Sequence, residues 1–313
     1  MGALVVAIAI VSAAAIARGS AGYLYSVIPI QIPILVTAVI ICMGAAAAWG
    51  ILQSATLIGL MTLIELGGLL AIVMAGAANW TDMTPTETAN APDLSQIITW
   101  GGVLSATMLA FFAFVGFEGL VNIAEEVKEP SKTLPRAIAL TLIISTVLYV
   151  LVSLIALRAV SRGELAVANA PLSLVFERVT GVSPFVISVV AIIATANGII
   201  VQIVMAARVL YGLAKQGLVP RFFANVNART QTPLIATVVS TASIMLLALA
   251  FPLEGLAEAT SRLTLIVFAL VNAALIRLNR RPTLAAAPFT VPALVPKLGL
   301  ILCTTLLLGS ALL

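Results

Sequence analysis

Nine apolar runs, each near the ~20 residues that cross a hydrocarbon core as a helix, occupy this 313-residue chain almost from end to end. They lie near 1–17, 30–48, 51–76, 99–123, 137–157, 184–213, 234–252, 257–276 and 291–313. Lipid offers the backbone no hydrogen-bond partners, so a spanning segment must satisfy its own N–H and C=O groups, as a helix or within a closed barrel. Barrel strands are shorter and alternate polar with apolar side chains; these runs do neither. The sequence therefore predicts an all-α polytopic membrane protein of about nine transmembrane helices. No linker or low-complexity stretch divides residues 1–313, which read as a single transmembrane domain. Pro33, Pro135, Pro184, Pro233 and Pro292 each lie at or near a helix start, where the missing N–H is harmless. Ser183 and Thr232 precede two of them as expected N-caps.

Composition narrows the chemistry further. Charged residues make up 9% of the chain, against ~25% in soluble domains. There is no histidine, which removes the commonest general base and metal ligand. No Asp lies within a span, and apart from Glu258 in an outer turn the acids at membrane depth are Glu65 and Glu118. An enzyme, a metal site or a cofactor is accordingly not expected. Cys42 and Cys303 sit alone in apolar runs and read as small core residues rather than as a disulfide or metal pair. The net charge of +4 is spread over separate loops, so no nucleic-acid surface is predicted.

Loop charge orients the bundle. With alternate loops assigned to one side, Lys128, Lys132, Arg136, Arg208, Lys215, Arg221, Arg229, Arg277, Arg280, Arg281 and Lys297 lie together, and Arg18, Arg158, Arg162, Arg178 and Arg262 lie opposite. The basic-rich side is expected to be cytoplasmic, which places the N-terminus of this chain inside and the protein in an inner (plasma) membrane. Trp80 and Trp100 bracket an acidic loop on the other side, as interfacial aromatics do. Residues 215–229 read as a short amphipathic cytoplasmic segment, with Phe222 and Phe223 at the interface.

One stretch carries chemistry: residues 111–138, FFAFVGFEGLVNIAEEVKEPSKTLPRAI. Gly116 interrupts the apolar run and Glu118 follows two residues later. A carboxylate among lipid-compatible residues costs a few kcal/mol to insert and marks function by default. Backbone groups freed by a helix break are tolerated only where they face protein or a cavity. A broken helix beside a buried acid is how secondary transporters build midplane sites. A purely structural alternative is a Glu118 paired with a buried amide or hydroxyl to hold the break. Glu65 is open in the same way, as a proton site or as the partner of a polar group on a neighbouring helix. Gly67 and Gly68 beside it signal close helix packing. Thr195, Asn197 and Gln202 are polar groups at membrane depth in the sixth run, fitting either a site or interhelical hydrogen bonds.

Residues 111–138 resemble the sixth-helix signature of the amino acid–polyamine–organocation (APC) transporter superfamily, a Phe/Ala/Gly-rich broken helix followed by Glu-Glu-x-Lys-x-Pro-x-x-x-x-Pro-Arg-Ala. MAARVLYGLAKQGLVPRFFANVNARTQTPLIA at 205–236 is similar to the family's eighth-helix exit, and AGYLYSVIP at 21–29 to its link between helices three and four. The resemblance implies a LeuT-type bundle of inverted repeats and an amino acid substrate. It aligns the nine runs with helices three to eleven, so the chain is expected to be a truncated member lacking counterparts of helices one, two and twelve. The alternative is a non-transporting remnant that associates with a longer permease. The resemblance further implies Phe112 as an aromatic gate and backbone carbonyls of Phe112 and Val115 as acceptors for the substrate α-ammonium. Ala113 and Gly116 complete that turn, and Asn197 lies on a helix that lines the region. It implies Glu118 as a proton-sensing carboxyl, while Glu65 stands where a proton-coupled relative carries a lysine. Protons are thus expected as a second partner, in symport or exchange, alongside the lipid bilayer.

Overall fold

The computed structural model describes residues 1–50, 55–81, 100–117, 119, 127–279 and 290–311. Its helices are α1 (Gly2–Val27), α2 (Ile32–Trp49), α3 (Ala55–Ala78), α4 (Trp100–Phe112), α5 (Pro130–Ala159), α6 (Arg162–Val167), α7 (Pro171–Thr180), α8 (Phe185–Lys215), α9 (Leu234–Ala250), α10 (Leu253–Leu278) and α11 (Leu294–Ala311). Six are long and apolar enough to cross a membrane, and α4, α9 and α11 are shorter apolar helices. Together they match the nine predicted runs one for one. No strand occurs among the described residues.

α1 is the centre of the bundle. It packs on α8 most extensively and also touches α2, α9 and α10. Ala13, Ala14, Ala15, Ala17 and Ala21 are completely buried there against Ile40, Ile199, Ile203 and Ile244. Lipid tails are as apolar as leucine, so helices associate through close van der Waals fit, which small side chains permit. α5 is peripheral. Leu148, Val152, Ile155 and Ala159 form one buried stripe at the four-and-three spacing of a helix face. Leu140, Ile143, Val147, Leu154 and Leu157 on the rest of its surface are exposed and face the bilayer. α3 bridges centre and periphery. A Cβ on Gly68 would press on Val190 of α8, and one on Gly76 on Ile155 of α5, each at 2.5 Å or slightly more. The packing reading therefore holds at Gly68, whereas Gly67 has open space beside it.

Several expectations need correction. The first helix runs to Val27 rather than 17, so Arg18 is inside it. Its guanidinium donates to the carbonyl of Ala248 at 2.7 Å, one of the last carbonyls of α9 that no helical N–H can reach. Arg262 does the same for α11, donating to Ser310 at 3.0 Å. Arg18 reads as a loop charge because a charge following an apolar run marks a boundary, and Arg262 reads as part of the end turn of its run; each caps a neighbouring helix. α5 starts at Pro130, with Pro135 inside its N-terminal part. Thr232 does not cap α9; its hydroxyl donates to Ala48 at 2.8 Å and ties α9 to α2. Cys303 is buried as expected, but Cys42 is exposed. The segment between α5 and α8 folds into α6 and α7, which hydropathy alone does not reveal. Its signature was Ser161-x-x-Glu164, a capping box in which each side chain meets the other residue's backbone N–H.

Candidate functional site: the break of α4

α4 ends at Phe112 because the chain tightens and then turns. The N–H groups of Ala113, Phe114 and Val115 donate three residues back, to Ala110, Phe111 and Phe112, at 3.2, 3.0 and 3.0 Å. This is 3₁₀ geometry, the usual way a helix terminus closes. Gly116 then takes φ +128°, a conformation open to glycine and strained for other residues. No atom of the described residues lies near where its Cβ would be, and it is the conformation that demands glycine here. The sequence predicts an interruption at Gly116; the helix itself ends at Phe112, and Gly116 is where the following turn takes positive φ.

The tightened turn leaves carbonyls without helical partners. That of Ala113 accepts a hydrogen bond from the Tyr149 hydroxyl of α5 at 3.0 Å. Among the described residues nothing donates to the carbonyl of Val115, so it remains an available acceptor. The aromatic residues of the turn point different ways. Phe114 meets Tyr149 edge-on at 5.3 Å, while Phe111 and Phe117 contact Phe268 of α10 at 6.1 and 5.7 Å. Phe112 packs against the central α1–α8 cluster. The ring proposed as a gate is therefore the one directed at the bundle's centre.

The body of α4 is docked on α10. The Ser261 hydroxyl donates to the Met108 carbonyl at 2.7 Å, and Ser105 donates to Glu258 at 3.2 Å. Glu258 pairs with Arg262 at 3.5 Å. Met108, Leu265 and Cys303 bury together at the α4–α10–α11 junction.

The other candidates divide. Glu65 is half-buried on α3 and interacts electrostatically with Tyr149, which connects it to the break. Asn197 is buried on α8 and has no hydrogen-bond partner among the described residues. Its polar neighbours in sequence are interhelical ties: Thr195 reaches Ser20 of α1 at 2.8 Å and Gln202 reaches Ser12 at 3.4 Å. Glu118, Glu125 and Glu126 lie outside the described residues. No cluster of three or more metal-ligating side chains occurs among the described residues. Sequence reasoning missed Tyr149, because a tyrosine in an apolar helix carries no signal until the helix beside it is known to break.

Comparison with known proteins adds the decisive observation: residues 1–312 match the family model described as amino acid permease. The chain belongs to the amino acid permease family. It is 32% identical over 217 residues to the branched-chain amino acid permease BcaP of Bacillus subtilis, covering 67% of this chain and 46% of that protein. It is 31% identical to an uncharacterized transporter of Mycobacterium bovis, covering 89% of this chain and 61% of that one. Cationic amino acid transporter 4 of Mus musculus is 28% identical over 79% of this chain and 37% of its own length. The chain thus spans roughly half the length of these permeases. The APC-type resemblance and the all-α membrane fold stand together on the family match and the nine apolar helices.

Proposed function

We propose that this chain forms the substrate-handling core of a secondary amino acid permease working by alternating access around the break at 112–116. The observation that carries this reading is the carbonyl at Val115, to which no described residue donates, in a turn that only Gly116 permits, within a permease-family chain. A carbonyl at a helix break is a fixed dipole that can hold an α-ammonium without a buried counter-charge. Phe112, facing the bundle's centre, closes over the substrate and excludes water, with cation–π attraction to the ammonium. Asn197, buried on α8, is the amide assigned to substrate polar groups. Glu118 and Glu65 are the carboxyls assigned to proton coupling, since each can be neutralised at membrane depth. The relatives named for branched-chain and cationic amino acids define the substrate panel.

Uptake of radiolabelled leucine, isoleucine, lysine and arginine into proteoliposomes containing this chain, at pH 5.5 and 7.5, tests the proposal. Saturable uptake of at least one, faster with an inward proton gradient and lost in Gly116→Ala, is the expected result. Uptake that never exceeds empty liposomes would overturn it and favour the reading as a non-transporting partner.

A further inference from the structure

We propose that Tyr149 is a positioning residue for the broken helix, a phenol whose hydrogen bond is switched by the charge on Glu65. This rests on the reading of residues 112–116 as the transport site. Two contacts join Tyr149 to the turn: its hydroxyl donates to the Ala113 carbonyl at 3.0 Å, and its ring stands edge-on to Phe114 at 5.3 Å. One side chain thus fixes both the backbone and a ring of the break. Without it the Ala113 carbonyl would be an unpaired acceptor at membrane depth, where such groups are tolerated only facing protein or a cavity.

The packing of α3 on α5 brings Glu65 to the same level. Gly68, Ile72 and Gly76 make the inner face of α3, with Ile72 and Gly76 against Ile155. Glu65 shares that face, three residues before Gly68. It lies ~10 Å below Ile72 along the helix, and Tyr149 lies ~9 Å below Ile155. Helices separated by two crossings run in the same direction, which sets the two residues at a similar height on facing helices, and Glu65 acts electrostatically on Tyr149. Other elements packed on α5 bring few charges. α7 carries Glu177 and Arg178 near its far end, and Arg178 is held by Glu164 at 2.7 Å. α5 itself carries Arg158 more than two turns away, stacked on Trp80 at 4.1 Å.

The phenol has one proton and two claimants. A neutral Glu65 leaves it on the Ala113 carbonyl, and the turn is clamped. An ionised Glu65 is the stronger acceptor, because charge-assisted hydrogen bonds are about twice as strong as neutral ones. The phenol then turns to α3 and the Ala113 carbonyl is released toward the site. Protonation on α3 is in this way communicated to the backbone of α4, although the two helices need not touch.

Hydrogen–deuterium exchange of residues 113–119, read by mass spectrometry on the intact chain in nanodiscs and corrected for the intrinsic pH dependence of exchange, tests the switch directly. Wild-type protection should fall by about two- to tenfold between pH 5.5 and 8, the range one hydrogen bond supports. Tyr149→Phe, which keeps the ring, should be unprotected at both pH values, and Glu65→Gln protected at both. The double variant should behave as Tyr149→Phe. Protection that is unchanged in Tyr149→Phe, or still pH-dependent in Glu65→Gln, overturns the proposal. Uptake by the same variants reconstituted in proteoliposomes separates the two ideas. A working switch without uptake leaves the clamp and removes the transport reading; uptake without the switch does the reverse.

Discussion

α1 and α4 are both apolar helices, the first at the centre of the bundle and the second packed on α10 and α11, and they are built on opposite principles. α1 runs unbroken for 26 residues and contributes completely buried alanines to the central core. Its hydrogen bonds to α8 and α9 go to side chains and to a neighbour's terminal carbonyl, never at the cost of its own backbone. α4 is described as helix for 13 residues, closes into a 3₁₀ turn, and hands a backbone carbonyl to another helix's tyrosine. The difference teaches where this protein keeps rigidity and where it keeps chemistry. Close fit of small residues gives α1 a single arrangement. A break gives α4 polar backbone groups that can be exchanged between partners.

The contrast predicts that enlarging a residue in α1 harms folding, while altering the α4 turn harms function. The largest effect on stability should come from Ala17→Leu. Ala17 has no exposed surface, and an overpacked core costs about 1–3 kcal/mol, here at the upper end because helices on several sides must move. Thermal unfolding followed by size-exclusion chromatography should show a large loss of the monodisperse peak at temperatures the wild type survives. A near-normal profile would mean that the α1–α8 core is looser than its burial implies.

Arg18→Met comes next, at about 2 kcal/mol, the value for a charge-assisted hydrogen bond. Methionine keeps much of the apolar stem but leaves the Ala248 carbonyl without its donor. Arg18→Lys should recover part of the loss. If Arg18→Met were as stable as the wild type, the guanidinium would be a lipid anchor rather than a cap for α9.

Gly116→Ala inverts the pattern. A non-glycine residue at φ +128° carries backbone strain of roughly 1–3 kcal/mol. The turn sits at a helix end that can relax, so we expect about 1 kcal/mol in stability and at least a tenfold loss of uptake, since a strained turn settles by moving the Val115 carbonyl. Equal uptake by Gly116→Ala and wild type would show that the break's geometry is not what binds substrate.

How far the sequence foretold all this depended on the kind of force involved. Helix count follows from hydropathy, which acts within a segment, and nine apolar helices appear where nine runs were read. The break was legible too, because Gly116 in an apolar run is a local signal. Arg18, Arg262, Thr195 and Gln202 were placed in the right runs or at their edges, but their partners were not foreseeable. A hydrogen bond from Thr195 to Ser20 joins residues 175 positions apart, and only packing decides it. Tyr149 was missed for the same reason: its partner is a carbonyl, which every residue has.

The smallest effect belongs to the loop between α5 and α8, where neither principle applies because water is present. Glu164 caps α6 with Ser161 and pairs with Arg178 at 2.7 Å. The Arg178 hydrogen bond, with those from Ser161, holds its carboxyl below the usual glutamate range. A carboxyl whose folded-state pKa is depressed contributes stability that is complete above its unfolded value, near ~4.3, and is lost as pH falls through the folded one. The sign is thus destabilisation on acidification below about 5. The pair is solvent-exposed, so screening keeps the contribution slight. Glu164→Gln should flatten only this part of a melting-temperature profile between pH 7 and 3.5, and 0.5 M NaCl should remove most of the difference from wild type. Uptake and the exchange of residues 113–119 should not change, since the pair lies in the segment between α5 and α8, away from the turn. Any change there would mean that the segment between α5 and α8 reports to the break of α4, and the division between a rigid centre and a switchable turn would have to include a third part.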